Sequence, residues 1–189
     1  MPDLELEALP PLGGYREAFG GTELTEVTDL AIVSLAVPQG REAPFEAALS
    51  GVYGATRPAP GFSTLSADGR TRFLWTAPDQ LFALFEDMSP MAADEVEASL
   101  GGAAYVTLQS DNWLALRLSG GKAHAALERI CPIDLHPAAF PDGRVARTAM
   151  EHMGAFILRE RVDSFLLLSA SSSARSFLHA VKTSLLYVS

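Results

Sequence analysis

The hydrophobic pattern divides the chain into an irregular first segment and a regular remainder. Residues 1–28 are interrupted by proline and glycine pairs and offer only one short helical candidate, Tyr15–Phe19. From Asp29 onward, apolar residues recur at the spacings typical of strands and helices. The sequence therefore predicts an N-terminal arm at 1–28 and a folded region at 29–189.

The first half of the folded region, 29–110, predicts the element order β-α-β-β-α-α-β. Near-continuous apolar runs are typical of buried strands, helical spacing predicts helices, and Asp68-Gly69 suits a tight hairpin turn. The predicted elements are a strand at Leu30–Val37, a helix with its apolar stripe between Phe45 and Tyr53, a hairpin of Phe62–Ala67 and Thr71–Thr76, a helix with the stripe Leu81, Leu84, Phe85 and Met88, a helix at Ala92–Leu100, and a strand at Tyr105–Gln109.

The second half, 111–189, predicts a related order, β-α-β-β-β-α. The predicted elements are a strand around Leu114–Leu118, a helix that opens at Gly120-Gly121 and ends at Pro132, strands at Arg144–Met150, Ala155–Val162 and Phe165–Ser169, and a C-terminal helix with the stripe Ala174, Phe177, Leu178, Val181 and Leu185. Both halves begin β-α-β-β, which indicates an α+β fold made of two split β-α-β units, a duplicated ferredoxin-like arrangement. We expect the helices to cover one face of each sheet.

Composition and charge narrow the function classes. Hydrophobic residues make up 48% of the 189 positions, and the formal net charge is −9. Residues 1–110 carry 16 acidic and 5 basic side chains, whereas residues 111–189 carry 7 and 9 and form no basic cluster with interleaved aromatics. Because nucleic-acid binding requires a basic face, we predict no nucleic-acid partner. No apolar run reaches the ~20 residues of a membrane helix, which argues against a membrane partner.

Few side chains have the spacing that a catalytic or metal-binding site needs. Asp134-x-His136 and Glu151-His152 are the best-spaced ligand pairs, but a closed metal site needs three or four convergent ligands. Cys131 shares the apolar stripe of its helix near the C-terminal end, where a thiolate is not stabilised, so we interpret it as a core residue. No glycine-rich phosphate or dinucleotide motif and no nucleophile elbow occurs. We therefore predict no catalytic, cofactor-binding or metal-binding residue.

The cellular compartment can also be predicted. The N-terminus is acidic and lacks a basic stretch followed by an apolar one, so no secretory leader is indicated. A single cysteine excludes an internal disulfide framework and fits a reducing environment. The sequence therefore predicts a cytoplasmic protein.

A set of motifs in the second half carries a family resemblance. They are Trp113-Leu114-Ala115-Leu116-Arg117-Leu118, Gly121-x3-Ala125, Arg129-Ile130-Cys131-Pro132-Ile133-Asp134-Leu135, Phe140-Pro141-x-Gly143-x3-Arg147-Thr148 and Asp163-Ser164-Phe165-Leu166-Leu167-Leu168. In these motifs the stretch Trp113–Val188 resembles the gamma subunit of heterotetrameric sarcosine oxidase. The resemblance marks six positions as structural: Cys131, Pro132, Asp134, Leu135, Gly143 and Arg147.

The resemblance implies a fold similar to the folate-binding domain of the glycine-cleavage aminomethyltransferase. It also implies partners, the alpha, beta and delta subunits of a complex that oxidises sarcosine to glycine, produces hydrogen peroxide and passes a one-carbon unit to tetrahydrofolate. In that family alpha and beta hold FAD, FMN and NAD, and delta holds zinc. We expect this chain to be a subunit of such an oxidoreductase and to hold no cofactor itself.

One departure from the wider family bears on folate chemistry. Aminomethyltransferases have a Gly-Gly-x-x-Asp-Asp stretch in which one Asp engages the folate. The corresponding run here is Gly154–Arg159, so Leu158 and Arg159 replace the carboxylates. The favoured hypothesis is a non-catalytic gamma subunit with a structural role in assembly. The alternatives are a stand-alone folate-dependent one-carbon transferase-like protein and a gamma-like subunit of a related N-methyl amino-acid dehydrogenase.

The N-terminal arm carries the hypothesis for partner binding. It is acidic and has one base, Arg16, yet it contains six large apolar side chains: Leu4, Leu6, Leu9, Leu12, Tyr15 and Phe19. Burial of such a side chain contributes about 1.5–3 kcal/mol, which could offset the cost of ordering a short segment. One hypothesis is that these residues dock on the large flavoprotein subunit. The other is that they pack on the chain's own sheet.

Overall fold

The computed structural model describes residues 9–189, which form eleven strands and four helices. The helices are α1 (Glu42–Tyr53), α2 (Ala92–Leu100), α3 (Ala123–Glu128) and α4 (Ala174–Val188). The strands are β1 (Arg16–Phe19), β2 (Thr22–Glu26), β3 (Leu30–Ala36), β4 (Ser63–Leu65), β5 (Arg72–Ala77), β6 (Gln80–Glu86), β7 (Tyr105–Leu108), β8 (Trp113–Ser119), β9 (Val145–Met150), β10 (Met153–Arg161) and β11 (Ser164–Ala170). Among residues 9–189, no helix combines the length and the apolar character needed to cross a membrane.

The strands form two antiparallel sheets that pack face to face. The first sheet has the order β4-β5-β6-β3-β7, and the second has the order β1-β2-β8-β11-β10-β9. Buried side chains from both sheets, including Ile32, Phe82 and Phe156, fill the space between them. Separate cores lie between the first sheet and helices α1 and α2, and between the second sheet and helices α3 and α4. The predicted α+β fold, with helices on one face of each sheet, is confirmed.

Each sheet contains a ferredoxin-like unit. In the first, the chain order β3-α1-β5-β6-α2-β7 gives the sheet order β5-β6-β3-β7, with β4 added at the edge. In the second, β8, β10 and β11 occupy the first three strand positions, with α3 and α4 as the helices. The fourth position, beside β8, is filled by β2 from the N-terminal part of the chain. The second unit is therefore completed by residues that precede the first unit.

The predicted helix with the stripe Leu81, Leu84, Phe85 and Met88 is wrong, because these residues form strand β6 and the turn after it. Within the strand, Leu81 and Ala83 face the helical layer, and Leu84 faces the other sheet. A strand buried on both faces has apolar residues at successive positions, so some of them also match helical spacing. Local periodicity alone could not separate the two structures here.

The predicted arm is wrong for its second part. Residues 16–26 form the hairpin β1–β2, joined at Gly20-Gly21, where φ is +53° and +86°, values that suit a two-residue turn between strands. The helical candidate Tyr15–Phe19 is part of this hairpin as well. Along β2 burial alternates, with Thr22, Leu24 and Glu26 inward. Strand β2 then pairs with β8, from Glu23 opposite Ser119 to Glu26 opposite Leu116.

The hairpin fits closely against the corner that follows β8. At Gly120, φ is +120°, and a Cβ would lie 2.5 Å from the carbonyl oxygen of Gly21 and 2.7 Å from the Cα of Thr22. The Lys122 amide donates to the Thr22 hydroxyl at 2.9 Å, and the Lys122 ammonium donates to the Val188 carbonyl at 2.6 Å. The start of β2 is thus bridged by one lysine to the end of α4, where a fourth strand would follow that helix.

Candidate functional site

Arg159, which the family resemblance places where a carboxylate is expected, is buried inside the protein. It lies on β10 with 1% of its surface exposed, and its guanidinium stacks over the Phe165 ring at 4.5 Å. The guanidinium donates hydrogen bonds to the carbonyl oxygens of Leu135 and Val162. Burial lowers the pKa of Arg159, and the carboxylates of Asp142 and Asp163 oppose that shift. Arg159 therefore ties the loop before β9 and the β10–β11 turn to the sheet.

The neighbouring residue, Leu158, points to the other face of β10. Its side chain is 1% exposed and belongs to the core between the two sheets. The next carboxylate along the strand, Glu160, accepts two hydrogen bonds from the Arg117 guanidinium, at 2.8 Å and 3.0 Å. None of these groups is presented to a ligand, so tetrahydrofolate does not fit here in the way a carboxylate pair would hold it.

The motif residues after α3 form the loop that Arg159 holds. Cys131 and Leu135 are buried in the core of the second sheet, whereas Pro132 and Asp134 are exposed. The predicted core position of Cys131 is confirmed, and burial raises the pKa of its thiol, partly offset by a hydrogen bond from the Ile133 backbone. The Asp134 carboxylate accepts the amide of His136 at 2.9 Å, which shapes the turn. These residues organise the loop between α3 and β9.

Gly143 and Arg147, the remaining motif positions, lie at the junction of the two sheets. The Gly143 amide donates to the Arg159 carbonyl at 2.8 Å, and its own carbonyl accepts from the Ser63 amide at 2.8 Å. Gly143 has φ +80°, a conformation that favours glycine. The Arg147 guanidinium lies 5.5 Å from the centre of the Phe156 ring. Gly143 therefore links the second half of the chain to Ser63 in the first half, whereas the contact of Arg147 lies within the second sheet.

The candidate metal-ligand pairs are separate from one another. His136 lies in the loop before β9, where its Nδ1 accepts the amide of Ala138 at 3.3 Å. Glu151 and His152 form the exposed turn between β9 and β10, with φ of +46° and +67°. Among residues 9–189, no three His, Cys, Asp or Glu side chains converge in a group that could hold a metal ion.

The six apolar side chains predicted to contact a partner have different environments. Phe19 is 5% exposed and belongs to the core of the second sheet, so its prediction as an interface residue is wrong. Leu12 and Tyr15 are half-buried against the same core, as the second hypothesis for the arm required. Leu9 is 71% exposed. Leu4 and Leu6 lie outside the described residues.

A cleft of about 800 Å³ lies at the ends of both sheets, where the chain crosses from one sheet to the other. Its walls come from both crossover connections, from the segment before β1 and from the turn after β6. The lining residues are Leu9, Pro10, Pro11, Glu26, Val27, Thr28, Leu30, Ile32, Asp87, Met88, Ser89, Pro90, Leu108, Ser110, Asp111, Trp113, Ala115, Ser171 and Ser172. We name it the crossover cleft.

One wall of the crossover cleft is fixed by a buried carboxylate. Glu26, at the end of β2, is 5% exposed and accepts the backbone amides of Leu12, Gly14 and Tyr15 at 2.9, 2.6 and 3.2 Å. The Glu26 amide in turn donates to the Tyr15 carbonyl at 2.7 Å. The turn at residues 10–14 is therefore held in one position beside the cleft.

Sequence reasoning missed most of this cleft. It assigned Met88 to the buried stripe of a helix, whereas Met88 is 78% exposed in the turn after β6. It found no role for Asp87 or Asp111. One local signal was available, since Ser89-Pro90 after Met88 is typical of a turn that interrupts a helix. The meeting of the two crossovers depends on the tertiary fold and has no local signal.

Comparison with known proteins gives one consistent result. No protein-family model matches the chain. It is 32% identical over 122 residues to the sarcosine oxidase subunit gamma of Arthrobacter sp., spanning 65% of this chain and 60% of that one. It is 29% identical over 134 residues to the subunit gamma of Corynebacterium sp. (strain U-96), spanning 70% of this chain and 65% of that one. The chain thus spans less than two thirds of these curated relatives.

Solved structures show the same similarity over more of the chain. A chain of the heterotetrameric sarcosine oxidase from Corynebacterium sp. U-96, solved with pyrrole 2-carboxylate, aligns with a TM-score of 0.78 and 25% identity, covering 91% of this chain and 87% of that one. The aminomethyltransferase of the glycine cleavage system from Bartonella henselae shares the fold, with a TM-score of 0.61 at 13% identity over 92% of this chain and 56% of that one. The predicted resemblance is therefore confirmed, in sequence to sarcosine oxidase gamma subunits and in fold to a chain of a heterotetrameric sarcosine oxidase.

Proposed function

We propose that the chain is the gamma-type subunit of a heterotetrameric sarcosine oxidase and that it acts in assembly of the enzyme. The observation that carries the proposal is the match of both sheets, over 91% of the chain, to a chain of such an oxidase. The similarity to two subunits named gamma supports the same assignment. In this role the chain has no active site and contributes packed surface.

The chemistry of the proposed complex takes place on other subunits. The partners are the alpha, beta and delta subunits in the cytoplasm, with FAD, FMN and NAD on alpha and beta, zinc on delta, and tetrahydrofolate as acceptor of the one-carbon unit. The complex would oxidise sarcosine to glycine and produce hydrogen peroxide. No cofactor is assigned to this chain.

The non-catalytic role is supported by the environments of Leu158 and Arg159, which stand where the resemblance places folate-binding carboxylates. Arg159 is committed to two backbone carbonyls, and Leu158 is committed to the core between the sheets. A stand-alone folate-dependent transferase would need carboxylates facing a ligand at these positions. The buried side chains favour an assembly subunit over that alternative.

Co-expression tests the proposal. The chain is produced with the alpha, beta and delta subunits from the same genome, with the affinity tag on alpha, and also without this chain. We expect equimolar recovery of all four subunits and sarcosine-dependent peroxide formation, and a marked fall in recovered complex when this chain is omitted. The isolated chain should be colourless and should not bind tetrahydrofolate in calorimetry. Failure to co-purify, together with micromolar folate binding, would favour the transferase alternative.

A further inference from the structure

We propose that the crossover cleft is the docking site for a segment of a partner subunit that carries apolar side chains and at least one Lys or Arg. The inference rests on the proposed function, because the partner is another subunit of the same complex. It deepens that function by naming the surface of contact and the chemistry of the segment that would fill it.

The rim of the crossover cleft is apolar and exposed to water. Leu9 is 71% exposed and Met88 is 78% exposed, and both line the cleft together with Pro10, Pro11 and Pro90. Clustered exposed apolar groups mark contact surfaces, and methionine adapts its shape to a partner because its side chain is unbranched and flexible. These side chains gain stabilisation only when a partner covers them, since in the isolated chain they face solvent.

The charges of the crossover cleft have one sign. Its charged lining residues, within the described part of the chain, are Glu26, Asp87 and Asp111, and no Lys or Arg lines it. Glu26 is occupied by the turn at residues 10–14. Asp87 accepts the Ser89 amide at 2.7 Å, and Asp111 is exposed. A basic side chain on the occupant would meet Asp87 and Asp111 at the rim, which favours encounter and sets the register of binding.

The same charges disfavour two other possible occupants of the crossover cleft, residues 1–8 of this chain and a second copy of the chain. The first eight residues carry Asp3, Glu5 and Glu7 and no base, so they would place carboxylates against carboxylates. A second copy of this chain would bring the same acidic surface to a two-fold contact, because such an interface pairs each patch with itself. A segment of a different subunit that carries both apolar and basic side chains would cover the apolar rim and also pair with the carboxylates.

The position of the cleft gives docking a structural consequence. Both connections between the sheets line it, at Val27 and Thr28 and at Ser110 and Asp111. The Ser110 hydroxyl also accepts the Ile32 amide at 3.0 Å, which fixes the second crossover to β3. Rigid walls reduce the ordering cost that binding must offset. A docked segment would therefore clamp the two sheets of the subunit together.

Site-specific photocross-linking in the assembled complex identifies the occupant. The photoreactive amino acid p-benzoylphenylalanine is placed at position 88, and as a control at position 52, where Val52 is 50% exposed on α1. We expect position 88 to cross-link to a segment of another subunit that contains Lys or Arg among apolar residues, and position 52 to give no such product. A cross-link from position 88 to residues 1–8, or to a second copy, would overturn the proposal.

Two substitutions measure the apolar and the charged contributions separately. Met88→Glu and Asp111→Lys are each compared with a control of the same chemical change on a helix outside the cleft, Val52→Glu and Glu97→Lys. We expect the cleft variants to weaken binding to the partner subunits about tenfold, because Met88→Glu places a charge against apolar side chains and Asp111→Lys places like charges together, with neither control changed. The melting temperature of each isolated variant should match that of the unchanged chain.

The outcomes separate this inference from the proposed function. If the unchanged chain does not assemble with the partner subunits, the proposed function fails and the inference fails with it. If it assembles and both cleft variants bind as tightly as their controls, the proposed function stands and the cleft is not the docking site. Asp111→Lys should also weaken the salt dependence of binding, because it removes an attraction between opposite charges.

Discussion

The two sheets share a ferredoxin-like strand order but take their fourth strand from different places. In the first sheet, β7 follows α2 directly and pairs with β3. In the second, β2 pairs with β8, and ninety residues separate Glu26 from its partner Leu116. The first sheet is therefore built from one continuous stretch of chain. The second is complete only when the hairpin at residues 16–26 is added, so this segment belongs to the unit that the second half of the chain forms.

The two units also differ in the interactions that stabilise each of them. Two charged side chains are buried among residues 9–189, Glu26 and Arg159, and both lie in the second sheet. Each binds backbone groups of a segment added to the ferredoxin-like unit: Glu26 holds the turn at residues 10–14, and Arg159 holds the loop at Leu135. The first sheet is packed through apolar contacts to its helices. The turn at residues 10–14 and the loop at Leu135, both packed on the second sheet, are thus each held by a buried charged side chain.

Removal of the N-terminal hairpin should have the largest effect. A chain that begins at Thr28 loses the buried side chains of Phe19 and Leu24 and exposes the backbone of β8. At about 1.5–3 kcal/mol for each side chain, plus the lost pairing, the loss is about 5 kcal/mol or more, comparable to the whole stability of a small domain. Urea unfolding followed by tryptophan fluorescence measures it.

A rearranged chain provides the control for this deletion. Residues 15–27 are fused after Ser189 through a flexible linker of about ten residues, which can span roughly 33 Å when extended. We expect this version to recover most of the lost stability, because Lys122 already bridges the end of α4 to the start of β2. If the deletion leaves the unfolding curve unchanged, the hairpin is dispensable and the comparison of the two sheets is wrong.

The close approach of the hairpin to the corner after β8 gives a more local test. Gly120→Ala adds a Cβ within 2.7 Å of the hairpin backbone at a φ of +120°, whereas Gly121→Ala adds one with no atom within 4 Å. We expect the first to cost about 3 kcal/mol and the second less than about 0.5 kcal/mol. Equal unfolding free energies for the two variants would show that the hairpin does not pack as described.

Arg159 tests the claim that buried charge holds the loop at Leu135. Arg159→Ala leaves the Leu135 carbonyl without a donor and opens a cavity, so we expect a loss of about 3 kcal/mol. Arg161→Ala removes the same charge from an exposed position on the same strand and should change stability by less than about 0.5 kcal/mol. Thermal unfolding compares the two, and the inference fails if both variants melt at the same temperature.

The turn between β9 and β10 should give the smallest effect, in the stabilising direction. Glu151 and His152 both have positive φ, which costs residues with side chains about 1–2 kcal/mol each. Replacing the pair by Asn-Gly should stabilise the chain by about 1 kcal/mol, because these residues suit a two-residue hairpin turn. Replacement of Asp68-Gly69, in the first sheet, by the same pair should change little. A loss of stability at 151–152 would contradict the turn assignment.

The sequence predicted correctly an element that is buried on one side only. It failed for elements whose burial or pairing depends on parts of the chain that are distant in sequence. Helix α2 was predicted with its full range, Ala92–Leu100, because its polar residues and its terminal glycine are local signals. Strand β6 was predicted as a helix because both of its faces are covered. The hairpin β1–β2 was missed because its glycine turn resembles a linker until β8 is known to need a partner. The crossover cleft depends on the same long-range pairing.

During synthesis, strand β2 remains without its partner strand β8 for a period that the rate of translation sets. Strand β2 leaves the ribosome before its partner β8, because Leu116, which pairs with Glu26, is made ninety residues later. At roughly 5–20 residues per second, this interval is about 5 to 20 s, long enough for the first sheet to fold completely. During that time β2 has backbone groups ready to pair and an apolar face around Leu24. The nascent chain therefore exposes an unpaired strand until its second half emerges, and slower translation after Leu108 prolongs that exposure.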